Sequence, residues 1–144
     1  MPEISLDLAK KLAEEVLAEG RRSECKPLTV AVLDPGGHLK AMFREDGSGI
    51  LRPEIAIGKA FGALGMGLGS RSLSRLAEER APFLASLSTL AAKGIIPAAG
   101  GVLIYDETGH LVCAIGVSGD TSDIDEACIL IAAKKLGLVA DPGK

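Results

Sequence analysis

Apolar residues near the start of the chain recur at helical spacing, at Ala9, Leu12, Ala13, Val16 and Leu17, while Lys10, Lys11, Glu14 and Glu15 fall on the opposite face. The pattern predicts an amphipathic helix with Ser5 as its N-cap and Gly20 as its stop. From Leu28 to Leu33 it changes to an unbroken apolar and β-branched run, which predicts a strand covered on both faces. Asp34-Pro35-Gly36-Gly37 then fixes one φ and permits the next two, so the chain should reverse and return through Leu39 to Phe43 as a hairpin. Gly101 to Tyr105, Asp106 to Gly109 and His110 to Val117 repeat the plan of strand, turn, strand. The two turns share the pattern Asp-x-x-Gly-His-Leu, read either as an internal repeat or as the same turn chemistry reached twice.

Between the hairpins, Arg52 to Met66 reads as a helix with Pro53 and Glu54 in its first turn, ended by the glycines of Gly65 to Gly69. A helix opened at Ser72 is interrupted by Pro82 and resumes from Phe83 to Ala92; Ile95-Ile96 reads as a short edge strand closed by Pro97. Thr121 and Ser122 cap a last helix, Asp123 to Leu136. Hairpins favour antiparallel pairing, and strands apolar on both faces need cover on both sides. The expected fold is therefore α+β, a three-layer α/β/α sandwich around a four- to five-stranded, largely antiparallel sheet, formed by residues 1–144 as one domain.

Composition narrows the function. Hydrophobic residues make up 47% of the 144, enough for a core, and Lys+Arg 16 against Asp+Glu 19 is too balanced to neutralise many phosphates, so nucleic acid is not an expected partner. No window approaches the roughly 18 apolar residues of a membrane span, and Met1 to Ala9 lacks the basic and apolar regions of a leader, which points to a cytoplasmic protein. Cys25, Cys113 and Cys128 show neither disulfide nor zinc spacing and read as reduced, packed thiols; no metal site is indicated.

Several motifs fail on inspection. Gly65 and Gly67 are followed by Ser70 where a dinucleotide fingerprint needs glycine, and they follow a helix instead of a strand. Gly116-Val117-Ser118-Gly119 is one residue short of a nucleophile elbow. As the join between a strand and a helix start, those four residues either offer backbone N–H groups to an anion such as a carboxylate or make a tight turn and nothing more. Lys59, among small apolar residues, is a candidate carboxylate holder or base, or a lysine that snorkels to the surface. Asp125 and Glu126 are candidate acid/base groups, while Asp123-x-x-Glu126 also has capping-box spacing. His38 and His110 are candidate iron ligands or simply exposed turn residues.

Four stretches, Val30 to Leu39, Ile55 to Ala60, Gly100 to Ile104 and Ala114 to Cys128, together resemble the GlcG/HbpS-like family, also called the haem-degrading domain family, which includes the C-terminal domain of some corrinoid adenosyltransferases. The likeness spans roughly Ser5 to Leu138 and rests on Asp34, Gly36, Gly37, His38, Lys59, Gly116, Val117, Ser118, Gly119, Asp125 and Glu126. The resemblance implies a profilin-like fold, symmetric homo-oligomers, and links to haem, corrinoid or small hydroxy-acid metabolism. Three readings follow. The chain is a small-ligand-binding protein with haem or another tetrapyrrole as cofactor, a small enzyme acting on an anionic carbonyl or hydroxy acid, or a ligand-free assembly module. A mean hydropathy of +0.30 adds to the expectation of self-association.

Overall fold

In the computed structural model, which describes residues 4–144, the first helix α1 spans Leu6–Arg22, and the Ser5 hydroxyl caps it by accepting the Leu8 N–H at 3.1 Å. Gly20 does not stop it. The glycine is buried within the last turns, where a Cβ would meet the Leu28 side chain at 2.7 Å, so it serves close approach and the helix ends at Ser23. Met1 to Glu3, counted in the 1–144 unit and in the reading of the N-terminus, lie outside the described residues.

Strands β1 (Thr29–Leu33) and β2 (Leu39–Arg44) form the first hairpin, and β3 (Gly101–Tyr105) and β4 (Leu111–Ser118) the second. Between them lie α2 (Arg52–Met66), α3 (Ser70–Glu79) and α4 (Ala81–Ser88); α5 (Ser122–Lys135) and β5 (Val139–Asp141) complete the chain. The sheet is antiparallel throughout, in the order β2-β1-β4-β3-β5. It joins the hairpins through β1 and β4, with Thr29 opposite Ser118 and Leu33 opposite Ala114.

Side-chain alternation gives the sheet two different faces. Val30, Val32, Val102, Ile104, Cys113, Ile115 and Val117 join Leu12, Val16 and Ile129 from α1 and α5 in a large aliphatic core. The other face mixes leucines with small residues. Leu33, Leu103 and Ala114 pack on Ala60 and Ala63 of α2, and a Cβ at Gly116 or Gly101 would run into the backbone carbonyls of Ala56 or Lys59. Glycine on the strands and alanine on the helix thus let α2 lie almost on the sheet.

Three expected boundaries shift. The third helix starts at Ser70, and the expected interruption falls at Arg80, so that Pro82 sits in the first turn of α4, where its missing N–H costs nothing. That helix ends at Ser88, short of Ala92. Ile95 and Ile96 form no strand. Their side chains fill the notches left by Gly62 and Gly58 on α2, and the Ile96 N–H donates to the Gly58 carbonyl at 3.2 Å, so this segment follows a helix. The short edge strand is instead β5, paired with β3.

Candidate functional site

The turn after β1 is organised by one carboxylate. Asp34 Oδ1 accepts the N–H groups of Gly36 at 2.9 Å and His38 at 3.0 Å, and the Asp34 N–H donates to the His38 carbonyl at 2.8 Å. The same Oδ1 lies 3.2 Å from His38 Nδ1. A carboxylate only accepts, so Nδ1 carries a proton, and in the neutral ring that leaves the lone pair on Nε2, on a side chain that is 76% exposed. A carboxylate behind an imidazole is the arrangement that fixes a metal-binding tautomer.

The segment that crosses α2 overhangs this turn. Lys93 donates to the Gly37 carbonyl at 2.6 Å, and its ammonium stands 5.9 Å from the centre of the Phe61 ring. Gly37, at φ 86°, presses its Cα on Phe61, where a Cβ would come within 2.9 Å of the ring. Two openings flank this contact. One, of about 400 Å³, is lined by Leu39, Glu54, Ile57, Ala92 and Lys93; the other, of about 190 Å³, lies among Phe61, Met66, Leu87, Leu90 and Ile95. Glu54, Ile57, Phe61 and Gly65 recur on one stripe of α2, so both openings follow a single, mainly apolar seam. The larger falls in the size range of small-molecule sites, roughly 300–1,000 Å³.

His110 occupies the matching place in the second turn. Asp106 Oδ1 accepts the N–H groups of Thr108 at 2.9 Å and His110 at 3.0 Å, but His110 Nδ1 faces the Thr108 hydroxyl at 2.9 Å, and the Asp106 carboxylate is 3.7 Å away. The turns share one end of the sheet without being level. Leu33 is opposite Ala114, and β4 continues back to Leu111, about 10 Å farther along the strand, before its turn begins.

Lys59 and Asp125 meet at the other end of β4. The Lys59 ammonium donates to the Val117 carbonyl at 2.9 Å and to Asp125 Oδ2 at 3.3 Å, with 3% and 1% of the two residues exposed. Lys59 does not snorkel outward. Burial pushes its pKa down and that of Asp125 up, against the attraction of each for the other. Asp125 Oδ1 also accepts the Asp120 N–H at 2.9 Å, Asp120 Oδ1 takes the Thr121 N–H, and the Val117 N–H donates to the Gly100 carbonyl. Around Gly116 to Gly119, therefore, the protein's own carboxylates and carbonyls take several of the donors that an anion would use. Ser118 accepts from Arg52 at 3.0 Å. Glu126 and Asp123 both hold Arg71 of α3, which replaces the capping box as the reason for their spacing.

Sequence reasoning missed Arg52, Phe61, Arg71 and Lys93. Arg71 and Lys93 lay in a stretch with no recognisable motif, and no local pattern announces contacts between residues so far apart in the chain, from 24 positions for Phe61 and Gly37 to 66 for Arg52 and Ser118.

Known proteins fit this architecture. The family model described as haem degrading protein HbpS-like matches residues 4–134. The chain belongs to this HbpS-like family. Among solved structures, an HbpS double mutant from Streptomyces reticuli is 28% identical, covering 95% of this chain and 89% of its own, with a TM-score of 0.80. The solved complex of PduOC with haem is 20% identical over 98% of this chain and 99% of its own, with a TM-score of 0.81. Klebsiella pneumoniae ORFY is 22% identical over 92% and 91%, with a TM-score of 0.78. No significant match is found among curated proteins. These HbpS-like neighbours share the α+β architecture with its open antiparallel sheet. Among the described residues, no helix is long and apolar enough to cross a membrane.

Proposed function

We propose that this HbpS-like chain binds haem or a related tetrapyrrole along the seam between the first hairpin turn and α2, with His38 as the iron ligand. The observation that carries the reading is the exposed His38 imidazole, its Nδ1 held by Asp34, next in the chain to Leu39, which walls an opening with Ile57. Family membership and the haem carried by PduOC, a neighbour in fold, support the choice of ligand. The residues suit such a group. Ile57, Phe61 and Leu39 offer apolar surface, Lys93 offers a cation to an acidic substituent, and His38 Nε2 offers a lone pair to iron. Bound haem would supply an iron centre for ligand exchange or redox chemistry; the chain supplies orientation, a fixed imidazole tautomer and a partly apolar enclosure.

His110, on its own exposed turn without an overhanging wall, is the second candidate ligand. The Lys59–Asp125 pair is buried and hydrogen-bonded within the protein, which favours a role in joining α2 to the start of α5 over one as acid and base for a hydroxy acid. Ile50, Leu51 and Leu90 are exposed by 84%, 66% and 80%, which supports self-association of the chain; light scattering should return a mass above 14.8 kDa.

Haemin titration monitored in the Soret region tests the binding reading. Wild type should give a saturable, shifted band, and His38→Ala should weaken it at least tenfold while His110→Ala leaves it in place. A wild type without a saturable band, or a folded His38→Ala that retains it, would overturn the assignment.

A further inference from the structure

The chain between α3 and the Ile95–Ile96 pair overhangs the seam, and it is held firmly at both ends and loosely in between. Before it, Arg71 ties α3 to α5 through Glu126 and Asp123, and the Ser70 hydroxyl ties it to β3 by accepting the Gly101 N–H at 2.7 Å. After it, Ile95 and Ile96 fill the glycine notches of α2. Between these anchors Leu84 is the one buried residue of α4, and among the described helices and strands α4 packs on α3 alone. Ala81 to Ala92 carries no charged residue, and Phe83 and Leu90 are exposed. A helix with so little buried surface opens locally at low cost.

Each end of the loose stretch also has a joint. Arg80, at φ −141° and ψ 59°, is the single non-helical residue between α3 and α4. Gly94 has a φ of 82°, and a Cβ there would meet nothing within 4 Å, so neither a side chain nor packing opposes rotation. Lys93 clasps the stretch to the first hairpin through the Gly37 carbonyl. While that clasp holds, the seam is divided into openings of about 400 and 190 Å³, the second smaller than the roughly 300 Å³ at which small-molecule sites begin. Leu87 and Leu90 line the smaller one.

We propose that Arg80 to Gly94 is a hinged strap that lifts as one unit to admit the ligand and closes on it through Leu87 and Leu90; the identity of that ligand rests on the tetrapyrrole reading of the seam. Lifting withdraws Lys93 from Gly37 and joins the two openings. Closing returns Lys93 to the residue before His38, so the clasp and the iron ligand share one turn. A ligand that meets Leu87 and Leu90 only under the closed strap draws the equilibrium towards closure.

Amide hydrogen exchange of the full chain, resolved by residue in nuclear magnetic resonance, tests the strap. The amides of Leu84, Thr89, Leu90 and Gly94 each donate to a carbonyl within it. Without ligand they should exchange through a shared opening, at least a hundredfold faster than Ala60 of α2 and Ile129 of α5. Lys93→Met should speed all four by about fivefold, the effect of one hydrogen bond, and leave Leu76 of α3 unchanged. Saturating gallium protoporphyrin should slow the four at least tenfold. Exchange as slow as in α2, rates with no common response to Lys93→Met, or a bound porphyrin that leaves them unaltered would each overturn the strap. Failure of the porphyrin to bind would overturn the tetrapyrrole reading, while the two ligand-free results still decide the strap.

Discussion

In the turn after β1, Asp34 collects the amides of Gly36 and His38; in the turn after β3, Asp106 collects those of Thr108 and His110 at nearly equal distances. Gly37 and Gly109 even share a φ of 86° and 87°. Yet the first turn is pressed on Phe61 and latched by Lys93, whereas a Cβ at Gly109 would meet nothing within 4 Å. The same local chemistry produces a wall of a cleft in one place and an open loop in the other. What separates them is the α2 stripe and the 87–95 segment, neither of which is encoded in the turn itself.

The glycine pair offers the largest effect. Gly37→Ala should lower stability by about 2–5 kcal/mol, combining left-handed strain of about 1–2 with crowding against Phe61 of about 1–3. Gly109→Ala should cost only the strain, about 1–2 kcal/mol. Denaturant unfolding measures both, and Phe61→Leu in the Gly37→Ala background should narrow the gap between them. Equal costs for the two glycines would break the comparison.

Next come the organising carboxylates. Asp34 is almost buried, so Asp34→Ala strands amide donors and should cost about 1–3 kcal/mol. Asp106→Ala, on a turn whose amides water can reach, should cost clearly less in the same unfolding assay. Lys93→Met removes the latch on Gly37 and should cost about 1 kcal/mol, with faster amide exchange at 91–94 as a second readout.

The smallest effect is a pH dependence in the second turn. Hydrogen bonds from the Thr108 side chain and the His110 amide hold the Asp106 carboxyl below its usual 3.8. The unfolded chain therefore takes up this proton first as pH falls. The contribution is present above pH 3.8 and is lost as pH drops through the folded pKa. The stability gap between wild type and Asp106→Asn should accordingly be open at neutral pH and close in acid.

Both hairpins were legible because Asp-Pro-Gly-Gly and Asp-x-x-Gly are strong turn signals between apolar runs, and the helix caps at Ser5 and Thr121 were legible for the same local reason. Ile95-Ile96 misled because a β-branched pair looks the same whether it pairs with a strand or fills glycine notches on a helix. Strand β5 was missed because three residues after a helix carry no period. At the candidate sites, Lys59, Asp125 and His38 stood out by type, but the partners that give them meaning did not. Lys93 reaches Gly37 and Arg71 reaches Glu126 only through the tertiary fold.

The most direct measurement maps the amide resonances of labelled protein as diamagnetic gallium protoporphyrin is added. The account predicts saturable shifts at Gly36 to Leu39, along Glu54, Ile57 and Phe61, and at 91–95, with the 106–110 turn undisturbed. Shifts centred on the 106–110 turn, or on Gly116 to Gly119 beside Lys59, would contradict it.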